Sequence, residues 1–155
     1  MIRKLEHQKT EVSEAIRRVF RVSYAVEAQL LNAPDFPPLK RPLEGFTECA
    51  NDFYGYFQND VLAGVVEVDD SGPGTHIQSL VVDPDYFRMG IGSALVTMVP
   101  ETYDSEKCTV ETGLANGPAT ELYLKHGFRK TGEYDTDHGV RKIRFELRRK
   151  GVSPG

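Results

Sequence analysis

Residues 80–92, LVVDPDYFRMGIG, constrain the fold more than any other stretch of the chain. An apolar run of strand type, Leu80-Val81-Val82, stops at Asp83-Pro84, and Gly90-Ile91-Gly92 then opens a helical pattern, SALVTMV. A strand feeding a glycine turn and a helix N-terminus converges several backbone N–H groups on one point. The positive end of the helix dipole lies behind them. The turn from Arg88 and Met89 through Gly90, Ile91 and Gly92 to Ser93 therefore predicts a phosphate pocket. Glycine is needed there because a Cβ would hold the ligand away from the backbone. Alone, a short glycine turn at a helix start is a weak signal, and it needs a second one.

The second signal is Asn116 to Phe128, NGPATELYLKHGF. Asn116 suits a helix N-cap and Pro118 the first turn. Ala119, Leu122 and Tyr123 fall on one helical face. Lys125 and His126 suit the last turn, Gly127 suits the C′ position, and Phe128 starts the next strand. Together the two segments resemble the GNAT family of acyl-CoA-dependent N-acetyltransferases. That family pairs a pyrophosphate loop, Q/R-x-x-G-x-G/A, with a later Asn…Ala…Tyr…Gly-Phe helix. The matching residues are Gly90, Gly92, Asn116, Ala119, Tyr123, Gly127 and Phe128. The Q/R position falls on Phe87, with the basic residue Arg88 one place later. If backbone N–H groups hold most of the pyrophosphate, that change weakens binding without abolishing it.

The rest of the chain is compatible with such a fold. Its 155 residues predict one domain, spanning 1–155, able to bury a core. A hydrophobic content of 39% and a charged content of 27% describe an ordinary globule. A net charge of −4 argues against a nucleic-acid partner, which needs a basic surface. The basic cluster Arg141 to Lys150 alternates with Ile143, Phe145 and Leu147 and reads as a strand with one solvated face. Neither a signal peptide nor a run of roughly eighteen apolar residues is seen, which predicts a cytoplasmic protein with no membrane partner. Cys49 and Cys108 lack metal-ligand spacing and read as free or buried thiols, so no metal is expected. A homodimer is compatible with the sequence, and nothing in it marks an interface.

Periodicity places the elements. Ile2 to Glu6 reads as a short strand. Lys9 to Leu31 reads as a helix through Val12, Ile16, Val19, Phe20, Val26 and Leu30, with Thr10 a candidate cap. Ala33 to Leu43, with its prolines, reads as a loop followed at most by a short helix. Asp52 to Gln58 and Val61 to Val68 form a hairpin across Asn59-Asp60. Thr75 to Val82 is a central strand, Ile91 to Val99 a helix and Lys107 to Thr112 a strand. The Asn116 helix follows, and Phe128 to Tyr134 with Arg141 to Arg148 makes a final hairpin. The expected fold is mixed α/β: a mainly antiparallel twisted sheet of six to seven strands flanked by about four helices. By resemblance, strands 75–82 and 107–112 splay apart to admit a cofactor.

The resemblance also assigns the chemistry. Acetyl-CoA is the implied acyl donor, anchored by N–H groups from Arg88 to Ser93. The strand edge Leu80-Val81-Val82 holds its amide-bearing arm in the manner of an added strand. The Val82 N–H is the implied donor to the oxyanion. Tyr123 sits where the family places its general acid, a phenol with pKa of about 10 facing a thiol of about 8.5. Asn116 is both a helix cap and a polar contact to the CoA arm. Three side chains compete as the base that deprotonates the amine. Glu111 ends a strand where ribosomal-protein-type N-terminal acetyltransferases carry a catalytic glutamate, and burial beside the cofactor is expected to raise its pKa. His76, in phase with Gln78, Leu80 and Val82, stands where some histone-type relatives place a glutamate. Glu67 is the third, acting through water. His7, His126 and His138 read as structural or solvated.

Acceptor specificity falls to the loops, Ala33 to Phe46 and Asp135 to Val140. Asp135, Asp137, Asp35 and Glu44 are candidates for a cationic acceptor or simply solvated carboxylates. Tyr24, Phe36 and Phe46 form an apolar wall or belong to the core. A small amine, an amino-acid derivative and a peptide N-terminus all remain open as partner. A non-catalytic acyl-CoA sensor of the same fold is the alternative. A nucleotide site is excluded, because the loop lacks the Lys-Ser/Thr of a P-loop and the third glycine of a dinucleotide fingerprint.

Overall fold

Buried aromatic and β-branched residues on alternating strand positions build a sheet that is covered on both faces. The computed structural model describes residues 1–149. Its strands are β1 (Ile2–Lys4), β2 (Asp52–Gln58), β3 (Val61–Asp69), β4 (Thr75–Val82), β5 (Lys107–Gly113), β6 (Arg129–Asp135) and β7 (Arg141–Arg148). They form one sheet in the order β1-β2-β3-β4-β5-β7-β6. Every neighbouring pair is antiparallel except β4 and β5. The helices are α1 (Thr10–Leu31), α2 (Glu44–Thr47), α3 (Ile91–Tyr103) and α4 (Gly117–Lys125). No helix among the described residues is long and apolar enough to cross a membrane.

Strand β3 explains the layering. Seven consecutive residues of it are buried, as expected of a strand covered on both faces. Val65 packs with Ile16, Val19 and Phe20 of α1, Phe46 of α2 and Phe53. Its neighbour Val66 packs on the other face with Leu95 and Val99 of α3, Tyr123 of α4 and Phe145. The β2–β3 turn is Asn59-Asp60, both at positive φ (50° and 65°), the geometry a tight right-twisted hairpin requires.

Several boundaries move. The N-cap of α1 is Lys9, not Thr10, and no side chain caps it. Ser13 instead donates to the His7 carbonyl at 2.5 Å. Helix α3 runs past Val99 to Tyr103, because Pro100 is buried and the φ of proline fits a helix at the cost of one backbone bond. Helix α4 begins as the sequence predicts, with Asn116 Oδ1 accepting from the Ala119 N–H at 3.2 Å. It ends with Gly127 at φ +89°.

One difference changes the site. Glu67 pairs with Ser79, but the next residue, Val68, pairs with Ile77, so Gln78 is the extra residue of a β-bulge. A bulge reverses which face the following residues occupy. Leu80 and Val82 pack against the α3 cluster, whereas His76 bonds Thr109, whose neighbours Cys108 and Val110 face α3. His76 is therefore not in phase with Leu80 and Val82.

Candidate active site

Beyond the bulge the two central strands part. Strand β4 matches β5 only at Thr75–Cys108, His76–Thr109 and Ile77–Val110. From Gln78 onward, among the described residues, β4 has no strand partner on that side. The Asp83 N–H donates to the Ala63 carbonyl at 2.8 Å, which fixes the parity. Asp83 and Val81 turn their backbone groups toward β3, and those of Leu80 and Val82 face the gap. Val81 thus contributes nothing to the gap, since its side chain is also sealed in the α1 core. The Val82 N–H donates to Ser23 Oγ of α1 at 3.2 Å.

The glycine loop follows. Asp83 pins its start: Oδ1 accepts from the Asp85 N–H at 3.0 Å, and Oδ2 takes Arg18 Nη1 at 3.0 Å. Arg88 (φ +67°) and Gly90 (φ +78°) both adopt left-handed backbone, rare for arginine and easy for glycine. Gly90 is the N-cap of α3 and offers no side-chain acceptor. Among the described residues, the N–H groups of Arg88, Met89, Gly90, Ile91, Gly92 and Ser93 donate to nothing. Such a nest of orphan donors at a helix N-terminus suits an anionic phosphate. Phe87, at the family's Gln/Arg position, is 45% exposed. The first turn of α3 lies against α4, where Ser93 Oγ is 2.9 Å from His126 Nε2.

A cleft of about 410 Å³ fills the gap between β4 and β5. Of the residues singled out from the sequence, Leu80, Glu111, Asn116 and Tyr123 line it, whereas Val82 and the turn from Arg88 to Ser93 are not part of its lining. Tyr123 packs on Phe128 and Phe145, with ring centroids 5.7 and 5.6 Å away. Its hydroxyl has no hydrogen-bond partner among the described residues, yet it is not one of the sealed unpaired atoms. Burial pushes the phenol well above its ordinary value, and it stays protonated at working pH.

The three base candidates differ sharply. Glu111 takes Tyr134 Oη at 2.6 Å and Arg144 Nη1 at 3.0 Å. Burial would raise its pKa, but these two bonds outweigh burial and hold the carboxyl below its usual range. The expected rise is therefore reversed. His76 lies outside the cleft, in a separate polar cavity of about 310 Å³ that meets it at Glu111. Burial lowers the pKa of His76, with Glu111 opposing, so the imidazole is neutral. Glu67 is sealed beneath the cleft in a bidentate pair with Arg41 (2.7 and 3.0 Å), and Asn51 and Ser79 also bond it. The Arg41 contacts outweigh burial and lower its pKa.

The cleft also contains what sequence reasoning missed. Glu27 of α1 lines it beside Tyr24. Burial raises the Glu27 pKa, while Asn116, Lys142, the Gly113 N–H and Thr112 pull it partly back. The signal was present in the spacing: Phe20, Tyr24, Glu27 and Leu31 stand at i, i+4, i+7 and i+11, so a carboxylate sits on the inward stripe of an amphipathic helix. Gly113 brings that helix end close to β5, since a Cβ there would meet Leu31 Cδ2 at 2.5 Å. The loop carboxylates are elsewhere. Asp135 pairs with Arg141 at 2.8 Å, while Asp35, Asp137 and Glu44 are exposed. Tyr24 and Phe36 line the cleft, whereas Phe46 is core. Of the histidines, His7 is buried and bonds the Cys49 carbonyl at 2.8 Å, and His138 borders the cleft. Among the described residues, no group of three or more His, Cys, Asp or Glu side chains is placed to hold a metal.

A mixed sheet thus parts at its one parallel junction, and the strand beyond it feeds a glycine turn at a helix N-terminus. A family model described as an acetyltransferase (GNAT) domain matches residues 38–149. The chain belongs to the GNAT acetyltransferase family. It is 32% identical over 148 residues to UPF0157 protein YqkA of Bacillus subtilis (strain 168), covering 95% of this chain and 43% of that protein. It is 37% identical over 59 residues to an N-alpha-acetyltransferase of Sulfurisphaera tokodaii, covering 36% of this chain and 35% of that one. The chain thus spans less than half the length of these curated relatives. Among solved structures, the ribosomal-protein-S18-alanine N-acetyltransferase of Escherichia coli aligns with a TM-score of 0.76 at 19% identity, over 100% of this chain and 97% of that one. PaiA N-acetyltransferase of Thermoplasma acidophilum, in complex with coenzyme A, aligns with a TM-score of 0.71 at 20% identity, over 96% and 98%. At such identities these two establish the shared fold.

Proposed function

We propose that this protein moves an acetyl group from acetyl-CoA to a primary amine by direct attack, with no acyl-enzyme. The observation that carries this reading is the run of orphan N–H donors from Arg88 to Ser93, following β4, whose Leu80 lines the same cleft as Tyr123. Those donors fit a pyrophosphate. The gap-facing backbone groups of Leu80 and Val82 fit the amides of the pantetheine arm once Ser23 releases the Val82 N–H, and the Asn116 side chain adds a further polar contact. The Val82 N–H then meets the thioester oxygen and stabilises the negative charge that develops on it. Tyr123 hydrogen-bonds the departing sulfur and supplies its proton. Cys108 is unsuited to an acyl-enzyme, since burial pushes its thiol up to about 12. The compartment that this reading implies is the cytoplasm.

One observation favours a second reading, an acyl-CoA sensor without turnover: Phe87 replaces the polar residue of the family loop. Calorimetric titration with acetyl-CoA, coupled to a thiol-release assay over a panel of amines, separates the two. Binding with thiol release supports the transferase. Binding without release on any amine supports the sensor.

A further inference from the structure

Among the described residues, every carboxylate of the cleft region but one is held in an ion pair. Glu67 is held by Arg41, Asn51 and Ser79, and Glu111 by Arg144 and Tyr134. Glu27 meets uncharged donors, the Thr112 hydroxyl at 3.4 Å with Asn116 and the Gly113 N–H beside it, and makes no ion pair among the described residues, Lys142 acting on it only from beyond pairing distance. A partly buried carboxylate without a paired cation costs folding energy, and its place on the inward stripe of α1 suits a positively charged guest. Its surroundings describe that guest. Tyr24 and Phe36, with centroids 5.8 Å apart, form an apolar wall continued by Phe20, Pro37 and Pro38.

We propose that Glu27 receives the ammonium of the acceptor and deprotonates it, and that the acceptor is a singly charged primary amine on an aromatic or bulky aliphatic frame. The proposal rests on the acetyl-transfer reading and names the acceptor for that same site. Lys142 and the Glu67-bound Arg41 border the cleft and oppose a second positive charge. The groups facing Glu27 are Tyr24 on its own helix, Thr112 and the Gly113 N–H on β5, Asn116 and Tyr123 on α4, and Lys142 on β7. Burial among them raises the carboxyl toward working pH, which suits a base.

The protons balance. One ammonium proton passes to the Glu27 carboxylate and on to solvent. The nitrogen lone pair then forms the N–C bond as the C–S bond breaks. Tyr123 gives its proton to the departing thiolate, and the second proton lost from nitrogen restores the phenol. The products are the N-acetyl amine, CoA thiol and one proton in solution.

The test follows thiol release from the full chain with phenethylamine, spermidine and glutamate as acceptors, alongside acetyl-CoA titration. The proposal expects kcat/KM for phenethylamine to exceed that for the other two by about 10² or more, the scale of a matched apolar pocket. Equal rates, or a preference for spermidine or glutamate, overturn it. Acetyl-CoA binding with no turnover of phenethylamine also overturns it, while leaving the donor site standing. Failure to bind acetyl-CoA sinks the transferase reading itself. In Glu27→Gln, kcat/KM falls by about 10²–10⁴ with acetyl-CoA affinity kept, and the residual rate climbs with pH toward the pKa of the amine itself. An unchanged rate and pH profile in that variant contradict the role. If the variant does not fold, the wild-type acceptor preference decides alone.

Discussion

The Val82 N–H, on the edge of β4 that turns away from β3, donates to the Ser23 hydroxyl of α1 at 3.2 Å. The same N–H is the proposed oxyanion donor, so a thioester seated on β4 competes with Ser23 for it. Replacing Ser23 with Ala removes the competitor. A net hydrogen bond is worth about 1 kcal/mol, so acetyl-CoA affinity should hold or tighten by up to about fivefold in calorimetric titration. A tenfold weakening, taking about 1.4 kcal/mol as a factor of ten, contradicts the assignment.

Tyr123 has a hydroxyl with no hydrogen-bond partner among the described residues, and its ring packs on Phe128 and Phe145. Tyr123→Phe keeps that packing and removes one proton donor. Turnover should fall by about 10² with acetyl-CoA affinity unchanged, because the interaction is made in the transition state. Steady-state rates and titration of the same preparation check this, and an undiminished kcat takes Tyr123 out of the chemistry.

Gly90 has φ +78°, and a Cβ built on it meets nothing within 4 Å. Within the protein itself, the effect of Gly90→Val therefore comes from the backbone and not from crowding, and in the complex the side chain also meets the ligand. The left-handed conformation costs a residue with a side chain roughly 1–2 kcal/mol, and relief of that strain scatters the N–H nest. Acetyl-CoA binding should weaken markedly with only a modest fall in Tm. Retained affinity refutes the nest as the pyrophosphate site.

Glu67 and Glu27 should act on stability with opposite signs. Glu67 has its pKa lowered by folding, so its pairing with Arg41 stabilises above the unfolded carboxylate value and is lost as pH falls through the folded one. Breaking that buried pair by Arg41→Met should cost about 3–5 kcal/mol near neutrality and less in acid, where Glu67 takes a proton. Glu27 has its pKa raised, so the folded protein carries a penalty that is full above the folded value and absent below the unfolded one. Glu27→Gln should therefore melt at or above the wild-type temperature at neutral pH, with the difference fading in acid. Thermal melts across pH decide, and a neutral-pH loss in Glu27→Gln contradicts the sign.

What was legible in the sequence was local. The Arg88–Ser93 turn, the Asn116 cap, the Gly127 stop and the Asn59-Asp60 hairpin each follow from residues a few positions apart. What was not legible depended on distant strands. Gln78 is an ordinary strand residue, and only its mismatch with β3 makes it a bulge that turns His76 away from Leu80. Glu111 reads as a free base until its register with Arg144 and the approach of Tyr134 are known. Glu27 sits on a visible helical stripe. Whether that stripe meets core or cleft is decided by the parting of β4 from β5 and by the close approach at Gly113.

The most direct test of the central claim is titration of the purified protein with acetyl-CoA, followed by thiol release with phenethylamine. The account predicts saturable binding that Gly90→Val weakens, and thiol release that Tyr123→Phe slows. Absence of acetyl-CoA binding contradicts it, and the likeness to the acetyltransferases would then be one of fold alone.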